Sequence, residues 1–142
     1  FSNKNEAVIR NPDAVRPWQH VLEPLAGYLV LAENLISDND NSFTGAWNFG
    51  PDQADAQPVK WVADKIVNCW PSEANWKIDE RHYPHEANYL KLDCSKALSR
   101  LNWSPKWNLD ETITKVVDWY SAFNNKKDVK EVCLKQIKEY MS

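Results

Sequence analysis

Residues 14–35, AVRPWQHVLEPLAGYLVLAENL, decide the fold of this chain. Val15–Val21 is rich in β-branched and aromatic residues, a composition typical of a strand. Leu25–Ile36 then places apolar side chains at helical spacing, and Pro24 stands at the expected first helical position, where its missing N–H costs nothing. The stretch therefore predicts a short strand that leads directly into a helix.

The predicted strand has one chemically distinctive face. Side chains alternate across a strand, so Arg16, Trp18 and His20 are expected on the same side. A guanidinium matches a phosphate with two parallel hydrogen bonds, and a flat ring suits a neighbouring sugar or base. The alternative is a surface salt bridge for Arg16 and a place in the core for Trp18. His20 is expected to pack or to donate one buried hydrogen bond.

The predicted helix is apolar around more of its circumference than a single stripe requires. Its polar residues between positions 25 and 36 are few: Tyr28, Glu33 and Asn34. A helix of this kind packs on two sides. We expect one side to face the core of this chain and the other to face another domain, with Val30 or Leu31 exposed in the chain alone.

The composition indicates one soluble globular domain with 142 residues, 43% of them hydrophobic and 26% charged. The net charge of −3 and the lack of a basic run argue against nucleic acid as a partner. The apolar runs are too short for a membrane span, and the first residues lack the apolar core of a signal peptide. Cys69, Cys94 and Cys133 form no C-x-x-C pair, which favours reduced thiols in the cytoplasm.

The remaining strands are predicted from short extended patterns. Ala7–Arg10 is expected to form a hairpin with the strand that begins at Val15, because Asn11-Pro12-Asp13 between them is a turn sequence. Further extended segments are predicted at Gly45–Gly50, Trp76–Asp79 and Tyr89–Leu92.

Four further helices are predicted from start signals and apolar spacing. The first begins at Pro58 and is stopped by Pro71, and the second follows Asp93, which is its expected N-cap. The third begins after a capping box at Asn108–Glu111, and the fourth begins at Val129. The third is expected to bury Ile113, Val116, Val117, Tyr120 and Phe123, and the last Val129, Val132, Cys133, Ile137, Tyr140 and Met141. The acidic residues Asp110, Glu111 and Asp118 are expected on a solvated helix face. The fold class is α/β, mostly helical with a few short strands.

Three stretches carry a resemblance to a known family. They are R-P-W-Q-H-V-L-E-P-L-x-G-Y-L-x-L-A-E-x-L from Arg16, L-D-C-S-K-A from Leu92 and L-N-W-S-P from Leu101. Together they resemble the CDP-glucose 4,6-dehydratases, members of the extended short-chain dehydrogenase/reductase family with a Rossmann domain. Looser forms of the first stretch occur in UDP-galactose 4-epimerases and dTDP-glucose 4,6-dehydratases. The resemblance covers residues 9–123.

The resemblance implies a lyase that converts CDP-glucose to CDP-4-keto-6-deoxyglucose with bound NAD, in deoxysugar and O-antigen biosynthesis. The chain itself has only three Gly and no Gly-rich dinucleotide-binding turn. The family's Tyr-x-x-x-Lys pair is also missing, so no catalytic residue is expected here. We therefore expect residues 1–142 to be the C-terminal nucleotide-sugar-binding domain, inactive alone. An N-terminal Rossmann domain would bind NAD, and the full-length enzyme would form a homo-oligomer.

The resemblance also implies a set of substrate-binding residues. Arg16 would contact the diphosphate, and Trp18 would either lie beside the nucleotide sugar or pack in the core. In the loop 81–87 the phosphate-binding residue is left open between Arg81, Tyr83 and His85, and Glu86 would bind a ribose hydroxyl. Gln53 and Val59 would lie near the base.

No metal site is expected. His82, His85 and Glu86 have a spacing that zinc could use, but no supporting ligand cluster is evident. Two alternatives to the dehydratase remain. One is a fragment of another nucleotide-sugar epimerase or dehydratase, and the other is a stand-alone sugar-nucleotide-binding module without catalysis.

Overall fold

A computed structural model describes residues 6–37, 39, 41–81 and 87–142. Within these ranges the chain is mostly helical with a few short strands, which confirms the predicted fold class. The elements are β1 Ala7–Ile9, β2 Val15–Pro17, α1 Leu22–Ser37, β3 Ala56–Pro58, α2 Val59–Cys69, β4 Trp76–Ile78, α3 Ser95–Leu101, α4 Leu109–Asn124 and α5 Val129–Met141. A short 3-10 turn, Gln53–Asp55, precedes β3. No helix in these ranges is long and apolar enough to cross a membrane.

The strands form two separate pairs. β1 pairs in parallel with β4, and β2 pairs antiparallel with β3. The predicted hairpin between β1 and β2 is therefore wrong, although a turn is present, since Ala14 N donates to Asn11 O at 3.3 Å. The backbone groups at the two ends of β1 bond instead to the segment around β4: Ala7 N donates to Asn75 O, and Asp79 N donates to Ile9 O. Pairing between distant segments has overridden the local turn signal.

The strand in the opening stretch is shorter than predicted, and the helix begins earlier. β2 ends at Pro17, and α1 begins at Leu22, so Pro24 is the third helical residue rather than the first. Pro24 is tolerated there because the N–H groups of the first turn have no intrahelical partner. Trp18 and His20 lie in the connection between β2 and α1, so the predicted strand face shared with Arg16 is wrong.

Two hydrophobic clusters fill the interior. The first joins α1, α3 and the loop between α1 and β3, and its buried members are Phe49, Ala97, Leu101 and Trp103. Gly27 allows α1 to approach this cluster, because a Cβ at that position would lie 2.3 Å from the Phe49 ring. The second cluster joins α2 and α4, and its buried members are Val62, Leu109, Ile113 and Val117.

Several element boundaries differ from the predictions. Residues 45–50 form no strand. In place of the predicted strand at 89–92 there is a single bridge pair, Tyr89 with Val15. Cys94, not Asp93, is the N-cap of α3, although the Asp93 carboxylate accepts from Ser95 N at 2.9 Å. The capping box at the start of α4 is confirmed.

The predicted apolar stripes are correct near the middle of the helices and wrong at their outer edges. On α4, Tyr120 and Phe123 are exposed, while Thr112 and Ala122 are buried instead. On α5, Cys133, Ile137 and Met141 are exposed, while Gln136 and Tyr140 are buried. On α1, Val30 and Leu31 are half-buried against the first cluster, and the exposed apolar residues are others: Leu25, Tyr28, Leu29, Leu35 and Ile36. The acidic residues of α4 are exposed as expected.

One buried carboxyl group ties three parts of the chain together. Glu23, in the first turn of α1, is 0% exposed. Its two oxygens accept from Lys106 N at 3.0 Å, Trp107 N at 2.9 Å and the Tyr140 hydroxyl at 2.7 Å. These bonds join α1 to the segment before α4 and to the end of α5. Burial, together with the hydrogen bond to Glu23, raises the pKa of Tyr140, so the phenol stays a donor.

We predict that Glu23→Ala lowers the free energy of unfolding by about 3 kcal/mol or more, because three buried donors lose their acceptor. Glu33→Ala, the same substitution on the exposed side of α1, is the matched control and should have little effect. Urea unfolding followed by far-UV circular dichroism measures both. Equal stability of the two variants would show that the Glu23 contacts contribute nothing.

Candidate functional site

Arg16 lies in the centre of the short β2–β3 ladder. Its cross-strand neighbour is Gln57 of β3, and its own Nη1 donates to Val15 O at 2.9 Å. The residue is half-buried. A guanidinium that begins on a paired strand has a fixed backbone origin, so its reach and direction are restricted in a way that suits a defined ligand.

A second segment borders the other edge of β2. Val15 N donates to Asn88 O at 2.8 Å, and Leu90 N donates to Val15 O at 3.2 Å. The side chains of Asn11 and Asn88 are hydrogen-bonded as well, at 3.2 Å. β2 therefore lies between β3 and residues 88–90, and Arg16 adjoins the segment that follows the predicted binding loop.

The start of that loop is anchored to β1. Asp79 follows β4 directly, and its backbone N–H donates to Ile9 O at 2.8 Å. The Asp79 carboxylate accepts from Arg81 through Nε at 2.9 Å and Nη2 at 2.6 Å. Arg81 was one of three candidates for the diphosphate. In this structure its guanidinium forms an ion pair with Asp79, while most of the Arg81 side chain is exposed.

The other loop candidates lie outside the described residues. Tyr83, His85 and Glu86, together with His82, belong to residues 82–86, and their predicted roles stay predictions. Among the residues that the structure does describe, no group of His, Cys, Asp and Glu side chains could hold a metal ion. On either side of the loop, Arg81 is paired with Asp79, which bonds to β1, and the Asn88 carbonyl accepts from Val15 of β2.

The Trp18 side chain is held by a hydrogen bond to β3 and by packing against the hydrophobic core. Its indole Nε1 donates to Gln57 O at 2.8 Å, and its ring packs against the cluster between α2 and α4. The predicted packing role is present, and the hydrogen bond fixes the ring beside the cross-strand neighbour of Arg16.

The next two residues fix the connection between β2 and α1. Gln19 Nε2 donates to Phe49 O at 2.9 Å. The buried His20 accepts from Leu22 N through Nδ1 at 3.2 Å, and its ring meets Trp107 edge-on with centroids 4.9 Å apart. Because Nδ1 is the acceptor, the proton of the neutral imidazole is on Nε2.

The sequence pattern does not predict the roles of Gln57 and Gln19 around Arg16. Gln57 faces Arg16 across the ladder, and Gln19 anchors the segment that follows Arg16. No local pattern marks either residue, because each bonds to a distant partner. Gln57 bonds to Trp18, 39 positions away, and Gln19 bonds to Phe49, 30 positions away. Gln53 is exposed and Val59 is half-buried, and the two flank β3. The described part of the candidate site therefore contains the Arg16 guanidinium as a hydrogen-bond donor and the Trp18 ring.

Comparison with known proteins agrees with the resemblance seen in the motifs. All 142 residues align with a CDP-glucose 4,6-dehydratase of Salmonella typhimurium, with 46% identity. The chain is similar, over its whole length, to the C-terminal part of a CDP-glucose 4,6-dehydratase. It spans only 39% of the length of that relative. No model of a protein family matches the chain.

Two solved structures with the same fold are UDP-glucose 4-epimerases. A UDP-glucose 4-epimerase of Stenotrophomonas maltophila, solved with NAD and formylated UDP-arabinopyranose, superposes with a TM-score of 0.69 and 18% identity. It matches 85% of this chain and 36% of its own. A UDP-glucose 4-epimerase of Bifidobacterium longum, solved with NAD+ and UDP, has a TM-score of 0.64 and 17% identity, and matches 82% of this chain and 35% of its own. These likenesses establish the fold.

The burial of His20 predicts a pH dependence of stability. Burial lowers the pKa of His20 from its usual 6.5, against the opposing effect of Glu23. The unfolded chain then binds the proton more readily than the folded one, so the stabilisation is complete above pH 6.5 and declines as the pH falls below it.

We therefore predict that the chain loses stability between neutral pH and about pH 5, and that His20→Phe loses much less over the same range. Urea unfolding at a series of pH values measures the difference. A pH profile that His20→Phe leaves unchanged would contradict the assignment.

Proposed function

We propose that the whole protein converts CDP-glucose to CDP-4-keto-6-deoxyglucose, and that this chain supplies its nucleotide-sugar site. The observation that carries the proposal is the position of Arg16. It lies on β2 between β3 and the segment that follows residues 82–86, within a motif shared with the CDP-glucose enzymes. The 46% identity to such an enzyme favours this activity over that of the epimerases, which are 17–18% identical.

The chemistry of Arg16 fits a sugar diphosphate. A diphosphate needs a cation that stays charged at any physiological pH and can form two parallel hydrogen bonds, and a guanidinium meets both requirements. Trp18, fixed to β3 by its indole N–H, would border the nucleotide or the sugar. Arg81 is paired with Asp79, so we assign the main diphosphate contact to Arg16 rather than Arg81.

The loop residues complete the proposed site. Tyr83 and His85 would donate to the phosphates, and Glu86 would accept from a ribose hydroxyl. Support comes from the two ends of the loop, since Arg81 is held through Asp79 beside β1 and Asn88 is bonded to Val15 of β2.

NAD does not fit the residues of this chain. Its three glycines are far apart, and a dinucleotide site needs a Gly-rich turn before a helix. We propose that an N-terminal Rossmann domain of the whole protein binds NAD and carries the acid and base groups, and that the whole protein is a cytoplasmic homo-oligomer. This chain would bind and orient the nucleotide sugar.

The nucleotide preference tests the proposal. Isothermal titration calorimetry of the whole protein, loaded with NAD, should give at least about tenfold tighter binding for CDP-glucose than for UDP-glucose or dTDP-glucose, the size of one well-placed hydrogen bond to a base. Tighter binding of a UDP-sugar would favour an epimerase. No binding of any nucleotide sugar would reject the site altogether.

In the whole protein, Arg16→Ala should weaken CDP-glucose binding by roughly 1.5–3 kcal/mol, because a hydrogen bond to a charged group is lost. NAD affinity should barely change. Arg100→Ala is the control, because Arg100 lies on α3 and donates to Ser42 O. An unchanged affinity for CDP-glucose in a folded Arg16→Ala protein would leave Arg16 as a structural residue.

The chain alone should have no dehydratase activity with added NAD and CDP-glucose, because it lacks both the Gly-rich turn and the Tyr-x-x-x-Lys pair. The absorbance of the 4-keto product in alkali is the assay, and the whole protein is the positive control. Turnover by the purified chain would mean that the catalytic groups lie within these residues.

A further inference from the structure

Gln57 lies directly opposite Arg16 in the ladder between β2 and β3. Directly opposed residues of an antiparallel pair have their Cβ atoms about 4.5–5.5 Å apart on the same face of the sheet. The Gln57 side chain therefore begins beside the guanidinium that is assigned to the diphosphate. Both residues are half-buried, so each keeps part of its surface open to a ligand.

One hydrogen bond fixes which end of the Gln57 amide is available. Nε2 donates to Ala54 O at 2.8 Å, in the 3-10 turn that precedes β3. A backbone carbonyl can only accept, so the group that meets it has to be the NH2 end of the amide. The oxygen Oε1 is at the other end. Within residues 6–37, 39, 41–81 and 87–142, no group donates a hydrogen bond to it.

The backbone of Gln57 is held as well. It is paired with Arg16 in the ladder, and its carbonyl oxygen accepts from the Trp18 indole Nε1 at 2.8 Å. The Trp18 ring is thus fixed beside the amide. An acceptor whose backbone and side chain are both bonded within the protein is in place before a ligand arrives.

The pyrimidine bases differ in the group that such an acceptor can bind. At ring position 4 cytosine carries an amino group, which is a donor, while thymine carries a carbonyl oxygen, which is an acceptor, and uracil has the same carbonyl. A fixed amide oxygen pairs with the amino group and leaves the carbonyl unpaired, which costs binding energy. A site built to bond one group rejects the analogue that lacks it. A ribose or hexose hydroxyl gives no such choice, since all three nucleotide sugars contain it.

We propose that Gln57 selects the base of the nucleotide sugar: its Oε1 accepts from the 4-amino group of cytosine, and the Trp18 ring lies against the base. The other side-chain amide beside β2, that of Asn88, already accepts from Asn11 through Oδ1 at 3.2 Å. The inference rests on the proposed function, because it takes Arg16 as the diphosphate contact from which the nucleotide extends along β3.

Exchanging the residue and the base together tests the contact. Gln57→Leu and Gln57→Met both remove the acceptor at nearly unchanged size, and the ladder is retained because its bonds are made by the backbone. Isothermal titration calorimetry of the whole protein, loaded with NAD, gives the affinities for CDP-glucose and UDP-glucose. Asn68→Leu, an amide-to-leucine change on the exposed side of α2, is the matched control. Thermal unfolding and NAD affinity show that each variant is folded.

We expect both Gln57 variants to bind CDP-glucose about tenfold more weakly, the effect of one hydrogen bond. Their affinity for UDP-glucose should be unchanged, so that the preference for cytosine disappears, and Asn68→Leu should behave as the unchanged protein. A preference that survives in both folded variants would overturn the inference. An equal loss for the two nucleotide sugars would overturn it too and assign Gln57 to the ribose, the hexose or the phosphates.

Failure of the proposed function has a different signature. It appears in the unchanged protein, as tighter binding of UDP-glucose than of CDP-glucose or as no binding of either. A preference for CDP-glucose in the unchanged protein that both Gln57 variants retain removes only the role of Gln57.

Discussion

The buried carboxyl group of Glu23 is the constraint on which the arrangement of the chain depends. It has no exposed surface, and it accepts two backbone N–H groups and one phenol from segments more than 80 positions away. A carboxyl group without such donors would be too costly to bury. Its position therefore fixes where α1 begins, where the chain turns before α4, and where α5 ends.

The candidate site depends on that fixed start of α1. The residues between Arg16 and Glu23 are held one after another by hydrogen bonds to β3, to the loop at Phe49 and to the first turn of α1. On the other side, β2 is bonded to the segment at Asn88. Arg16 is thus supported on both sides before any ligand arrives, which is the condition for a binding residue to act without a large entropic cost.

Much of the local structure could be predicted from the sequence, because local signals determine it. The capping box at Asn108 and the stop at Pro71 are properties of a few neighbouring residues, and both are found as expected. The pairing of β1 with β4 could not be predicted, since three-residue strands hold little register information and their partners are about 70 positions away.

The site shows the same division. Arg16 is predicted as a binding residue from its motif, and the structure places it on β2. The partners that support it, Gln57 across the ladder and Asn88 beside β2, have no local signature, because they become neighbours only when distant segments pair. The role of Glu23 was missed for a similar reason. A glutamate before a helical proline has the pattern of an exposed residue in a first turn, and only the packing of α5 shows that it is enclosed.

The central claim is that Arg16 on β2 is the diphosphate-binding group of a CDP-glucose site. A crystal structure of the whole protein with NAD and CDP-glucose tests it most directly. The account predicts that the Arg16 guanidinium lies about 2.7–2.9 Å from diphosphate oxygens, the distance of charged hydrogen bonds, with the Trp18 ring beside the ligand. A CDP-glucose molecule bound with its diphosphate on other residues, and with Arg16 still bonded only within the protein, would contradict it.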